Sequence, residues 1–261
     1  MKKTAKIAIV LVSAFAGMTN AWADCASLPN QAALKAALVA AVTTESSGLD
    51  LNMWATIVDR DGIVCAVAFS GTDRGAQWPG SRVISAQKAN TANSFSLDSS
   101  AASGAAKTGL ALSTANLYSA VQPGGSLFGL QESNPVNTDV AYGGNAINFG
   151  SSIDPMVGGR IGGVNVFGGG FALYAAGRTI VGAVGVSGDT SCADHRIGWL
   201  VRHNLALDHL KGVGGVSGDA DRPDNIVFDL NPGTGKSSGG FGHPSCTAAD
   251  GDPKTLPGVA P

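Results

Sequence analysis

Apolar residues recur at helical spacing in the segment after Asn30, QAALKAALVAAVTTES, and this period predicts an amphipathic helix. Two strand-like runs follow, MWATIVD and IVCAVAF, and the intervening Arg60-Asp61-Gly62 is typical of a hairpin turn. Ser81 is then predicted to cap a helix of small residues, RVISAQKANTANSF, and TGLALSTANLYSAV is predicted as another helix.

A second hairpin is predicted from FALYAA and TIVGAVGV, which Gly177-Arg178 joins. A helix is predicted from Thr190-Ser191 to about Leu210, and the run NIVFDL is a further candidate strand. Because hairpins replace repeated strand–helix–strand crossovers, the pattern favours an antiparallel sheet with helices packed against it. The predicted class is therefore α+β.

Two regions lack clear periodicity. Residues 123–170 are rich in glycine, asparagine and serine and are too long for a plain connection, so they are either an ordered pocket wall or a mobile lid. Residues 231–261 form a Gly/Pro-rich tail, which Cys246 is expected to hold to the core.

The N-terminal residues have the pattern of a secretory signal peptide. Three lysines precede an apolar run over residues 7–18, and Ala21-Trp22-Ala23 is a small-x-small cleavage site. Cleavage after Ala23 leaves 238 residues with 14 cationic and 19 acidic side chains, a net charge of −5. The sequence thus predicts a periplasmic or secreted protein, without membrane insertion and without the basic footprint that nucleic acid requires.

The four cysteines are expected to form disulfides, because an exported chain meets an oxidising environment. Three pairings are possible. We favour Cys25 with Cys65 and Cys192 with Cys246, since each bond would tie a loose terminus to a predicted core element. A zinc site is the alternative, although no two cysteines have close ligand spacing.

Residues 182–203, GAVGVSGDTSCADHRIGWLVRH, concentrate the side chains with chemical potential. Ser187 and Ser191 beside carboxylates and a histidine invite a hydrolase interpretation, but the second glycine of G-x-S-x-G is absent. The simpler interpretation is a turn whose last residues cap a helix. The backbone N–H groups of such a turn also favour an anion.

His195 and His203 are eight residues apart, about 80° around a helix and more than ~10 Å along it, so one small ion would not bind both. Either alone could be an axial ligand of a porphyrin iron, with Trp199 against the ring; the alternative is a surface or hydrogen-bonded core histidine. Lys88, among small residues, could meet a carboxylate, or it could pair with an interior aspartate.

Three segments, DRDGIVCAVAF, SAQKANTANSF and GRTIVGAVGVSGDTSCADHRIGWLVR, resemble in order and spacing the GlcG/HbpS-like family, the haem-degrading domain also found at the end of PduO-type proteins. The resemblance implies a profilin-like α+β domain over residues 24–212, with an insertion at about 123–165 and an extension over 213–261. It also implies homo-oligomers and haem binding.

The resemblance assigns sites residue by residue. Lys88 falls in the family's lysine–alanine helix motif. The family's Gly-x-Ser-Gly turn corresponds to Gly185, Ser187 and Gly188. Its acidic position corresponds to Asp194, and its CADH variant contains His195. Some relatives use a histidine on the first helix as iron ligand, but residues 24–194 contain none. His195 is therefore the predicted iron ligand, and the alternatives are His203, Tyr118, Tyr142 and Met156.

Three hypotheses follow. The leading one is an exported haem-binding protein for haem sensing, scavenging or slow degradation, in which Lys88, Arg82 or the 185–189 turn meets the propionates. The second is an enzyme acting on an organic acid in the same cleft, with Asp194 or His195 moving a proton. The third is a non-catalytic oligomeric binding module.

Overall fold

Four antiparallel strands form one sheet at the centre of the computed structural model, which describes residues 24–100 and 103–261. The predicted signal peptide and its cleavage site after Ala23 lie outside the described residues. The sheet order is β2-β1-β4-β3, so the two predicted hairpins join through their inner strands. The strands are β1 Trp54–Asp59, β2 Val64–Phe69, β3 Gly170–Ala175 and β4 Thr179–Ser187.

The helices cover both faces of this sheet, and they are α1 Gln31–Thr44, α2 Ser81–Phe95, α3 Thr138–Tyr142 and α4 Ser191–Asn204. Alternation along β1 shows how the faces divide. Ala55 and Ile57 belong to the core cluster that includes α1 and α4, whereas Trp54 and Val58 belong to the cluster that includes α2. The predicted α+β class, an antiparallel sheet flanked by helices in a single domain, is confirmed.

Helix α2 lies unusually close to the sheet because both surfaces are built from small residues. A Cβ atom added to Gly185 on β4 would lie 2.0 Å from the backbone oxygen of Ser85 on α2. The buried helix residues that face the sheet include Ala86 and Ala89. The glycine is thus required by the close approach of two backbones.

The segment TGLALSTANLYSAV forms two 3₁₀ turns, Thr114–Leu117 and Ser119–Val121, so the predicted α-helix there is wrong. Its polar side chains satisfy the backbone locally: the Asn116 side chain accepts the Ser113 backbone N–H at 2.9 Å. Ser81 is the first residue of α2 and not its cap, since Gly80 occupies the N-cap position.

Two predictions at the C-terminal side also need correction. Helix α4 ends at Asn204 and not near Leu210, because Ala206 has a φ of +52° and residues 207–209 turn to pair with Tyr174 of β3. The run NIVFDL forms none of the four strands, and Leu230 makes only an isolated bridge with Ser237.

The segment predicted as an insertion packs against the start of α2. Arg82 donates to the Asp154 carboxylate and to the Ala141 backbone oxygen (2.9 Å), and its guanidinium lies 3.6 Å from the centroid of the Phe149 ring. Asp154 is itself buried. These contacts favour the interpretation of the insertion as an ordered wall.

The C-terminal extension lies along α4. Trp199 donates its indole N–H to the Pro257 backbone oxygen at 3.0 Å, and Arg202 forms a fully buried ion pair with Asp224 at 2.6 Å. The boundaries at residues 24–212 and 213–261 stay predictions, but residues on both sides of position 212 share buried contacts.

Both predicted disulfide pairings are confirmed, Cys25–Cys65 and Cys192–Cys246. The first ties the segment before α1 to β2, and the second ties α4 to the extension. All four sulfur atoms are thereby used, so the predicted preference for disulfides over a zinc site also holds. Within the described part of the chain, no helix combines the length and apolarity needed to cross a membrane.

Candidate functional site

The sequence motifs that carry the family resemblance meet at a buried ion pair. Lys88 of α2 extends past the end of β4, and its Nζ lies 2.6 Å from Asp194 Oδ2 on α4 and 3.0 Å from the Val186 backbone oxygen. Both side chains are almost completely buried. Burial lowers the pKa of Lys88 and raises the pKa of Asp194 to about 6, with the attraction between the two charges opposing both shifts.

The anion site predicted at the turn is filled by the protein itself. The backbone N–H groups of Gly188 and Asp189 donate to Asp194 Oδ1 at 2.9 and 2.8 Å. Ser187 Oγ lies 3.5 Å from the other carboxylate oxygen and 3.2 Å from Ser81 Oγ. The turn therefore binds the carboxylate of the helix that follows it, as a closed internal arrangement.

The predicted cap of α4 is confirmed, since Thr190 accepts the Ala193 N–H at 3.2 Å. Ser191, the first residue of α4, has a partner that the sequence did not reveal: its Oγ lies 2.7 Å from Nε2 of His243 in the extension. Burial lowers the pKa of His243 to about 4, so this imidazole is neutral at ordinary pH. The contact fastens the extension beside the Cys192–Cys246 bond.

His195 is enclosed by α4, β3 and the extension. Its Nε2 lies 3.1 Å from Asn225 Oδ1 and 3.1 Å from the backbone nitrogen of Ile226, and its ring centroid is 4.8 Å from that of Phe171. Its Nδ1 has no hydrogen-bond partner among the described residues. Burial lowers its pKa to about 3. Iron could bind Nε2 only after these contacts were broken, and the unpaired Nδ1 is enclosed because His195 is completely buried.

The other residues predicted for cofactor binding do not converge on one open cleft. Arg82 is paired with Asp154 of the insertion, and Lys88 is paired with Asp194 of α4. His203 is partly exposed at the end of α4, where its Nδ1 lies 2.8 Å from Asp208 Oδ2. The roles of these residues toward a ligand stay predictions.

An open cavity lies elsewhere, between the segment 118–126 and the extension residues 230–240. We call it the extension cavity; it has a volume of about 600 Å³, within the ~300–1,000 Å³ that ligand and cofactor sites occupy. Tyr118 lines one wall and Lys236 lines the other. Leu230 adds apolar surface, and glycines 124, 125, 235 and 240 leave backbone exposed to the space.

Two other cavities have less suitable linings. One of about 560 Å³ lies over α1 and is lined by alanines, Pro29, Asn204 and Leu205, with no charged residue. Another, of about 310 Å³, lies between residues 217–228 and 252–254. The extension cavity presents a phenol and an ammonium group in a lining that otherwise consists mainly of serine, threonine, glutamine and glycine residues. From the sequence, Tyr118 was expected only as an alternative ligand, and this cavity was not predicted.

The fold and site define an α+β protein in which one buried lysine–aspartate pair joins the helices of the two sheet faces. The model of the family described as "Haem degrading protein HbpS-like" matches residues 28–199. The chain belongs to this HbpS-like family, which confirms the resemblance found in the sequence. No curated protein matches the chain in sequence.

Among solved structures, the chain is similar to protein ORFY of Klebsiella pneumoniae, with 24% identity and a TM-score of 0.43 over 68% of this chain and 90% of that one. It is also similar to PduOC in a complex with haem, with 21% identity and a TM-score of 0.43 over 66% and 89% of the two chains. A double mutant of HbpS from Streptomyces reticuli has 14% identity and a TM-score of 0.38 over 77% and 97%.

Proposed function

We propose that the protein is exported and binds haem in the extension cavity, for haem sensing, scavenging or slow degradation. The observation that carries this proposal is the cavity itself: about 600 Å³ of open space, with a phenol and a cation in its walls, in a chain of a haem-degrading family. Tyr118 and Leu230 supply aromatic and aliphatic surface in this lining, and Lys236 supplies the cation.

Export is supported by two observations. The chain contains two disulfide bonds, which persist in oxidising compartments. Residues 1–23 have the basic, apolar and small-residue order of a signal peptide. The two together support a periplasmic or secreted location, and sequencing the N-terminus of the protein recovered after export would test the predicted cleavage after Ala23.

His195 is the iron ligand predicted from the sequence, and it stays a competing assignment. Iron binding at its Nε2 would require the extension to move away from α4, because Asn225 and Ile226 occupy the contacts of that atom. The extension cavity requires no such movement. Assembly into a homo-oligomer also stays a prediction from the family resemblance.

Titration of the protein with hemin tests the proposal. We expect a saturable shift of the Soret band at one hemin per chain, and an unchanged shift when His195 is replaced in the His195→Ala variant. A binding curve that stays linear, as with a protein that only adsorbs hemin, would contradict haem binding. Loss of the Soret shift in His195→Ala, with the fold intact by circular dichroism, would favour the competing assignment.

A further inference from the structure

We propose that Cys192, Cys246 and His243 form a zinc-type metal site when the disulfide between the two cysteines is reduced. The two sulfur atoms and a ring nitrogen of His243 lie within 4.8 Å of one another. The cluster lies where the first turn of α4 meets the extension. Its ligand is a thiophilic metal ion and not haem, so this inference goes beyond the proposed function and does not depend on it.

The imidazole of His243 has the orientation of a metal ligand. Its Nδ1 lies 2.7 Å from the Pro244 backbone oxygen, which can only accept, so Nδ1 carries the ring proton. Its Nε2 therefore carries the lone pair and lies 2.7 Å from Oγ of Ser191, the residue before Cys192 in the chain. A carbonyl that binds the other ring nitrogen is the usual means of orienting a histidine ligand.

The two cysteines can supply thiolates while α4 and the extension stay in contact. Their Cα atoms are 6.0 Å apart, and two thiolates on one zinc ion lie ~3.8 Å apart at Zn–S distances of ~2.3 Å, a separation that side-chain rotation can provide. Cys192 is the second residue of α4, and a helix N-terminus favours a thiolate. The Cys192 backbone N–H also donates to Cys246 Sγ at 3.1 Å, which favours negative charge on that sulfur.

A second cluster, of Cys25, Cys65 and Asp59, is a matched comparison within the same protein. Its third group is a carboxylate, which suits hard cations, whereas thiolates suit soft ones. Asp59 Oδ1 also accepts the backbone N–H groups of Asp61 and Ile63 at 3.0 and 2.9 Å, within the first hairpin turn. Two thiolates with an imidazole are instead a ligand set that zinc proteins use, so we assign the site to the His243 cluster.

The reaction that opens the site is reduction by a dithiol. Two electrons and two protons pass from the dithiol to the disulfide, which becomes two thiols, and the reductant becomes a disulfide. Zinc then replaces one proton on each thiol, both protons pass to water, and the metal keeps its oxidation state. Cys246 is partly exposed between the exposed Ser245 and Thr247, so the reductant and the ion can reach it from solvent. Three protein ligands leave the fourth tetrahedral position to water.

Titration of the reduced full chain with Co²⁺, a coloured substitute for zinc, tests the site. A phosphine reduces the protein and is removed under argon before the metal is added. We expect one ion per chain, with thiolate-to-cobalt charge-transfer absorption and the visible bands of tetrahedral cobalt, and Zn²⁺ should bleach both. The oxidised protein should show neither. The same spectrum from the oxidised protein, or no spectrum from the reduced one, would overturn the proposal.

Two double variants assign the thiolates. Cys25→Ser/Cys65→Ser should keep the cobalt spectrum after reduction, and Cys192→Ser/Cys246→Ser should lose it. The comparison is matched because the reduced parent also lacks both disulfide bonds. Circular dichroism shows whether each reduced protein stays folded. A chain that binds cobalt equally through either pair of cysteines, whether folded or not, would overturn the proposal.

A histidine pair assigns the third ligand. His243→Gln should weaken Co²⁺ binding by at least ~10-fold, the smaller of the losses that follow even from removing a group that orients a ligand. His203→Gln, at an exposed histidine in the last turn of α4, is the matched control and should leave the affinity unchanged. Equal Co²⁺ affinities of His243→Gln and the reduced parent would remove the imidazole from the site and overturn the assignment.

Discussion

Lys88 and Asp194 come from helices on opposite faces of the sheet, and their charged groups meet at 2.6 Å just beyond the end of β4. The contact is possible because Gly185, under the lysine, has no side chain, and because the Gly188–Asp189 turn holds the carboxylate from the other side. The residues that carry the family resemblance thus form a buried ion pair, which joins the helix layers on the two faces of the sheet.

Removing one charge of this ion pair should strongly destabilise the protein. Lys88→Met leaves Asp194 buried with its backbone partners but without a cation, and breaking such a pair costs about 3–5 kcal/mol. Urea unfolding followed by circular dichroism measures the loss. Lys107→Met, at an exposed lysine, is the control and should stay within about 0.5 kcal/mol of the parent. Equal effects of the two substitutions would refute the structural role of the pair.

Gly185→Ala should also destabilise the fold. The added methyl group would press on the Ser85 backbone oxygen and on the Ala89 nitrogen, so α2 would have to move away from β4. We expect a loss of about 3 kcal/mol in the free energy of unfolding. Gly80→Ala is the matched control, because no atom lies within 4 Å of its added Cβ. A small effect at Gly185 would mean that α2 packs less closely than described.

Stability should fall as the pH drops from about 6.5 to 4. Burial lowers the pKa of His195 to about 3 and of His243 to about 4, whereas in the unfolded chain both bind protons near 6.5. The unfolded state therefore takes up more protons in this window, and the stability present above it is lost. Asp194, with its pKa raised to about 6, acts in the opposite direction, because its contribution falls as pH rises from about 4 to 6.

Two histidines lower the stability on acidification and one carboxyl raises it, so the imidazoles determine how the free energy of unfolding depends on pH. Thermal melting temperatures between pH 4 and 7.5 measure it. His243→Gln removes one titrating group and should flatten the decline. A melting temperature that rises steadily on acidification would show that the imidazoles are not buried as neutral groups.

The Cys192–Cys246 bond should matter for hemin binding more than the other disulfide does. Replacing both of its cysteines by serine frees the extension, which forms one wall of the extension cavity. Each double replacement, including the Cys25/Cys65 control, should cost about 4 kcal/mol of stability on chain-entropy grounds. Hemin affinity should fall only in the Cys192/Cys246 variant. An equal fall in both variants would remove the extension from the site.

The sequence was sufficient for the elements whose periodicity is strong. Both hairpins, α1 and α2 were predicted because alternation and helical spacing report burial on one face. Both disulfide partners were also predicted correctly. The segment 108–121 was predicted wrongly, because Ser113 and Asn116 satisfy the backbone through local side-chain hydrogen bonds that periodicity does not register.

The candidate site was harder to predict for a physical reason. The turn at 185–189 looked like an anion site, but its partner is Asp194 of the same chain. The face of α4 around His195 and Trp199 looked accessible, but Asn225 and Pro257 of the extension cover it. An irregular Gly/Pro-rich segment carries no pattern that reveals where it packs, so neither this cover nor the extension cavity could be deduced.

The central claim, haem binding in the extension cavity, is tested most directly by hemin titration of a variant whose cavity is blocked. Ser126 is exposed and lines the cavity, so Ser126→Trp fills the space without disturbing the core; Ser152→Trp, exposed and outside the cavity, is the control. We predict a saturable Soret shift for the parent and for Ser152→Trp, and its loss in Ser126→Trp. A Soret titration of Ser126→Trp identical to that of the parent would contradict the account.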